Sequence, residues 1–116
     1  MKFFLATVLL AFSTFAYSQE MKIRWEDDMG REFEISAPSG NFSYGMLSGD
    51  DVSYDWQGRV DEVGDVRVHY DWKARVDEVG DTRVHYDYKN RVDKVGNLSI
   101  KYDYKGRISG TSKSVN

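Results

Sequence analysis

Two copies of the segment DEVGD bring six carboxylates close to tight turns: Asp61, Glu62 and Asp65 in the first, Asp77, Glu78 and Asp81 in the second. Hard oxygen donors around a turn are groups that calcium accepts, and paired carboxylates can serve as general acid and base. A third copy argues against both uses, because Lys94 and Asn97 stand where the earlier copies carry acids. No pattern around these turns suggests a cleft that would perturb their pKa values. The expectation is therefore no metal and no cofactor, with these six residues as the calcium candidates to check. His69 and His85 occupy equivalent positions, with Ser53 and Lys101 in other copies. Residues two strands apart in a sheet lie about 9 to 10 Å from each other, too far to share a metal through bonds of about 2 Å, so both are expected to face solvent. The sequence has no nucleophile paired with a base, no phosphate-binding glycine loop and no metal-ligand spacing, and no catalytic residue is assigned.

The other chemistry is aromatic. Tyr54, Tyr70, Tyr86 and Tyr102 form one series, and Trp56, Trp72, Tyr88 and Tyr104 form a second, two residues further on. If the copies stack, each series becomes a column. Tyr70 shares its strand face with Val66 and Val68, so the first column is expected to be buried. The second lies at a turn, on the rim of that face, where such rings could stack on sugars or grip an extended peptide. Trp56, Trp72, Tyr88 and Tyr104 are accordingly the candidate binding residues.

The elements that position these residues follow from a period of sixteen, set by the four tyrosines of the first series. Sixteen residues suit two short strands and two tight turns. The first turn reads Asp-x-x-Gly-Arg, with Asp accepting hydrogen bonds from the backbone beyond it and a left-handed residue near the end. That left-handed position reads Gly58, Ala74, Asn90 and Gly106, and Ala74 should be strained by about 1 kcal/mol. The second turn is Gly64-Asp65, Gly80-Asp81 and Gly96-Asn97. Val66, Val68, Tyr70 and Trp72 alternate with Arg67, His69 and Asp71, the period of a strand buried on one face. Val60 and Val63 break that parity, which predicts a bulge near Asp61-Glu62. Glu62 and Glu78 should face Arg67 and Arg83 across the second turn, with Lys94 and Ser99 replacing both partners in the next copy.

These patterns predict an all-β chain: an antiparallel β-meander of 16-residue hairpin repeats with about ten short strands, curled or open and barrel-like. A one-sided greasy sheet needs closure or a cover. The cover would come from residues 19–53, which contain a hairpin over Lys22–Ile35 turning at Asp28-Met29-Gly30-Arg31, a loop at Ser36–Gly40, and a degenerate repeat in which Tyr44 and Leu47 align with Val60 and Val63. Residues 54–108 hold the repeats. Residues 109–116 read as a polar tail that frays.

Residues 1–18 have one lysine, an apolar run from Phe3 to Phe12, and small residues at Ala16 and Ser18. That is the pattern of a secretory signal peptide cut after Ser18. Ser13 and Thr14 interrupt the run before it reaches the roughly 20 apolar residues of a span, so no transmembrane anchor is expected after cleavage. The chain has no cysteine, which excludes a lipid-attachment site and a disulfide framework. The expected location is secreted or periplasmic. The net charge of −3, with signs interleaved, leaves no basic stripe for nucleic acid.

The units beginning Tyr54-Asp55, with Gly58 and Arg59, Tyr70-Asp71 with Arg75, Tyr86-Asp87 with Arg91, and Tyr102-Asp103 with Gly106 and Arg107 resemble the tyrosine-aspartate (YD) repeat of Rhs-type surface and toxin-delivery proteins and of teneurins. The resemblance covers about half of the chain after the leader. It implies extended antiparallel sheet and an extracellular setting. The shorter period and small number of repeats do not support the cargo-enclosing shell of the large members. The expected function is an exported, non-catalytic structural or binding module with an unidentified glycan or protein partner at the cell envelope; the alternative is a small carboxylate- or calcium-dependent enzyme using the DEVGD clusters.

Overall fold

The structure, a computed structural model, describes residues 9–11 and 19–114. The expected leader lies outside the described residues except for the backbone of Leu9–Ala11. The described residues form no helix, and their strands lie in two antiparallel sheets. The first sheet runs in chain order through β1 (Leu9–Ala11), β2 (Met21–Glu26), β3 (Glu32–Ala37) and β4 (Phe42–Tyr44). The second continues as β5 (Val52–Tyr54), β6 (Val60–Val63), β7 (Val66–Tyr70), β8 (Val76–Val79), β9 (Thr82–Tyr86), β10 (Val92–Val95), β11 (Leu98–Tyr102) and β12 (Ile108–Lys113). Every strand pairs with its sequence neighbour, so each sheet is a meander, and the second remains open with β5 and β12 at its edges.

The greasy face of the repeat sheet is covered rather than closed. Met21, Ile23 and Trp25 of β2 and Phe33, Ile35 and Ala37 of β3 share one core with Val63, Val68, Val79, Val84, Val92, Val95, Leu98 and Ile100 of the second sheet. Strand β2 alternates strictly between buried and exposed residues, as a strand with one face on a core must. The Val92 amide donates to the Pro38 carbonyl at 3.1 Å, joining the loop after β3 to β10. At Gly40 a β-carbon would lie 2.5 Å from the Tyr86 hydroxyl, so only glycine lets that loop approach the repeat sheet so closely.

A buried arginine fastens the two sheets at their other contact. Arg31, only 6% exposed, donates through Nε and Nη2 to the two carboxylate oxygens of Asp50 at 2.8 and 3.0 Å, and through Nη1 to Asp27 at 2.8 Å and Asp65 at 3.1 Å. The planar guanidinium suits this fork. Its bonds to Asp50 and Asp27 drive its pKa further above the ordinary arginine value, and its bond to Asp50 depresses that carboxyl. Gly64 permits the arrangement, since a β-carbon there would fall 2.5 Å from Arg31 Nη2.

The predicted turns and bulges occur in register. Ala74 and Asn90 both adopt φ of 67°, and Gly58 and Gly106 adopt 84°. The second turns are two-residue loops with φ near 60° at Gly64, Gly80 and Gly96, where hairpins accept glycine most readily. Tyr54 pairs with Val60 but Ser53 with Glu62, which leaves Asp61 as the extra residue of a bulge. The same shift isolates Asp77, Asp93 and Ser109. Glu62 stands opposite Arg67, Glu78 opposite Arg83, and Lys94 opposite Ser99.

Two expectations need correction. The polar tail does not fray over its first part: Ser109–Lys113 belongs to β12, paired with β11 from Leu98↔Lys113 to Tyr102↔Ile108. The unpaired edge of β11 supplies backbone partners whatever the side chains are. Tyr44, aligned with the repeats from sequence, instead lies in β4 and pairs with Phe33 of the covering sheet.

Candidate functional site

Each first turn is built by its aspartate. Asp55 accepts the amides of Gln57 and Arg59 on Oδ1, both at 2.9 Å, and Arg59 Nε on Oδ2 at 2.8 Å. The Asp55 amide donates to the Arg59 carbonyl at 2.8 Å, and Gly58 donates back to the Asp55 carbonyl at 2.9 Å. Asp71, Asp87 and Asp103 repeat this set with Arg75, Arg91 and Arg107. All four carboxyls are held below the ordinary aspartate range. In Asp55 the Arg59 amide is the main cause; in the other three, burial pulls upward but is outweighed by the hydrogen bonds from the arginine.

The arginine also explains the tyrosine. The guanidinium carbon of Arg59 lies 4.2 Å from the Tyr70 ring centre, Arg75 lies 4.1 Å from that of Tyr86, and Arg91 lies 4.2 Å from that of Tyr102, within cation–π range. The Tyr70 hydroxyl donates to the Val60 carbonyl and the Tyr86 hydroxyl to the Val76 carbonyl, each at 2.8 Å, and Tyr102 donates to the Val92 carbonyl. Each copy's tyrosine thus clamps the arginine and first valine of the copy before it. Burial pushes the Tyr86 and Tyr102 phenols up to about 12 against the pull of the neighbouring arginines. Tyr54, which has no complete copy before it, is 59% exposed. The first aromatic column is therefore a graded one: Tyr86 is buried, and Tyr70 and Tyr102 are partly so. Sequence reading missed this interlock, although its signal was present: Tyr, Asp and Arg are the side chains that never change across the four copies.

The second column behaves differently. Trp56, Trp72, Tyr88 and Tyr104 are 91%, 88%, 89% and 90% exposed. They stand at the tips of turns that all open on one end of the sheet, with about 9 to 10 Å between successive copies. The second and third tips touch: Asn90 Oδ1 accepts Lys73 Nζ at 3.2 Å and Arg75 Nη1 at 2.9 Å. The residue after each ring is Gln57, Lys73, Lys89 or Lys105, and the three ammonium groups lie 5.2, 5.8 and 5.7 Å from the ring centres of Trp72, Tyr88 and Tyr104.

The carboxylate clusters do not assemble. Asp65 is held by Arg31, and Oδ1 of the bulged Asp77 lies 2.6 Å from His69 Nδ1, in hydrogen-bond contact. His85 and Asp93 repeat that pair at 2.6 Å, with both imidazoles about 70% exposed. Among the described residues, no group of three or more His, Cys, Asp or Glu side chains converges so as to hold a metal ion. Asp61, Glu62, Asp65, Asp77, Glu78 and Asp81 therefore offer no common centre. No protein-family model, curated protein or solved structure matches the chain.

Proposed function

We propose that this is an exported, non-catalytic binding module of the cell envelope or the space outside it, and that the rim of Trp56, Trp72, Tyr88 and Tyr104 is its contact surface. One observation carries the reading. The turn at 27–31 has the same hydrogen bonds as the repeat turns: Asp27 donates to the Arg31 carbonyl at 3.0 Å, Gly30 donates to the Asp27 carbonyl at 3.1 Å, and Asp27 Oδ1 accepts the amides of Met29 and Arg31. Its residue at the ring position is Asp28. The turn does not need an aromatic side chain, and the four rim rings have next to no burial to explain them. Large exposed apolar groups gathered in one place mark interaction sites. The leader-like residues 1–18 and the YD-repeat resemblance support the exported setting.

The test is the double substitution Trp56→Ala and Trp72→Ala, followed by binding to glycan panels and envelope fractions. The expected result is loss of binding with an unchanged circular dichroism spectrum. Binding retained by the folded variant overturns the assignment of the rim.

A further inference from the structure

The geometry points to an anionic phospholipid surface as what the rim engages, an inference that rests on the rim being the contact surface. What the four tips hold constant is an amphipathic ring: tryptophan at Trp56 and Trp72, tyrosine at Tyr88 and Tyr104, and never phenylalanine or leucine. These are the side chains that settle where hydrocarbon meets headgroups, with an apolar body on one side and a polar atom on the other. Three of the four rings have a lysine beside them whose ammonium sits within 6 Å of the ring centre, so a ring that enters the headgroup layer brings a cation to phosphate depth.

Charge is segregated in the same sense. The chain as a whole carries −3, but the residues at the tips, Trp56-Gln57-Gly58, Trp72-Lys73-Ala74, Tyr88-Lys89-Asn90 and Tyr104-Lys105-Gly106, contain three lysines and no acid. The aspartates at the base of each turn are tied on both oxygens. Asn90 Oδ1 is likewise bonded, to Lys73 and Arg75, so the charge left unneutralised at the tips is that of the lysines. Three of the tips thus pair a ring with an ammonium group and the fourth pairs Trp56 with the Gln57 carboxamide; rings beside cations fit an anionic interface by depth and charge.

The experiment uses the protein as recovered from the cells that express it, with vesicles of phosphatidylcholine with and without phosphatidylglycerol. Trp25 is buried, so a change in tryptophan emission reports Trp56 and Trp72. The expected result is a blue shift and loss of acrylamide quenching with the anionic vesicles alone. The substitutions Lys73→Gln, Lys89→Gln and Lys105→Gln together should lower partitioning by about a hundredfold, at about fivefold per lysine. Trp56→Ala with Trp72→Ala removes both reporters, so its partitioning is read by co-sedimentation with the vesicles; it should abolish the binding to the anionic vesicles. Absence of partitioning, or partitioning indifferent to the lysine and tryptophan variants, overturns the inference. If vesicles fail while a glycan or a proline-rich peptide binds in a Trp56- and Trp72-dependent way, the lipid assignment falls and the rim remains a contact surface; if no ligand responds to the tryptophan variant, both fall.

Discussion

The turn at 27–31 and the turn at 55–59 have the same backbone hydrogen bonds and the same Asp-x-x-Gly-Arg lettering, yet their arginines do different work. Arg59 is 30% exposed at its side chain and lies on the ring of Tyr70, holding one repeat to the next. Arg31 is buried and reaches 19 and 34 residues along the chain to Asp50 and Asp65. A local motif thus fixes where the guanidinium starts, and the surroundings decide what it joins. In the repeats it joins neighbours within a sheet; at Arg31 it joins the two sheets.

The largest effect should come from breaking that second use. Arg31→Met leaves Asp50 and Asp27 without their cation in a partly enclosed site. Loss of one partner from a buried charge cluster costs about 3 kcal/mol or more, which for a domain of this size lowers Tm by more than about 10 °C. Arg59→Met should cost less, because Arg59 itself reaches water and holds one carboxylate where Arg31 holds three. The comparison has a pH signature. The Arg31 bonds depress the Asp50 carboxyl, so the stabilisation is complete above the unfolded aspartate value of about 3.9 and is lost as pH falls through the lower folded value. Thermal melts from neutral to acidic pH should therefore decline for the parent chain, and the Arg31→Met variant should lack the Asp50 part of that decline.

Within the repeats, the clamp by tyrosine is the next most sensitive contact. Tyr86→Phe keeps the ring over Arg75 but removes the donor to the buried Val76 carbonyl, a loss of about 1 kcal/mol. Tyr54→Phe, at the same repeat position but 59% exposed, should leave the melting curve within about 0.5 kcal/mol of the parent. Equal effects at the two positions would remove the interlock from the account of stability.

The left-handed turn position allows a prediction of opposite sign. Ala74 adopts φ of 67° where two other copies carry glycine, so Ala74→Gly should stabilise the chain by about 1 kcal/mol less the entropy that glycine adds to the unfolded state. Gly58→Ala should destabilise it by a similar amount, since a β-carbon there meets no neighbour within 4 Å and only the backbone conformation objects. Denaturant midpoints of the two variants, moving in opposite directions, would check the strain.

What was legible in the sequence was local. The turns, the positive φ at Ala74 and Asn90, the bulge at Asp61 and the opposition of Glu62 to Arg67 each depend on residues within a few positions of one another, and turn chemistry and parity specify them. Over longer separations only the need for a cover from residues 19–53 was legible, and not the residues that fasten it. Arg31 ends the same Asp-x-x-Gly-Arg lettering as Arg59, and nothing in that lettering names Asp50 and Asp65 as its partners. The strand at Ser109–Lys113 was hidden for a related reason: edge pairing satisfies backbone groups, and side-chain polarity does not record it. The rim lay between these cases. Its residues were identified from spacing, whereas their exposure depends on where the turn leaves the covered face.

The smallest expected effect sharpens the contrast between the two aromatic columns. Trp56→Ala and Trp72→Ala remove side chains that are 91% and 88% exposed, so each should change stability by no more than about 0.5 kcal/mol, despite deleting the largest side chain type in the chain. Tyr86→Ala, sixteen residues from Tyr70 in the other column, removes a buried ring, its hydrogen bond and its contact with Arg75, and should cost about 3 kcal/mol. Urea denaturation followed by circular dichroism measures both without relying on tryptophan emission. A tryptophan variant as unstable as Tyr86→Ala would mean that the rim rings serve the fold, and the turn at 27–31, which does without a ring, would then need another explanation.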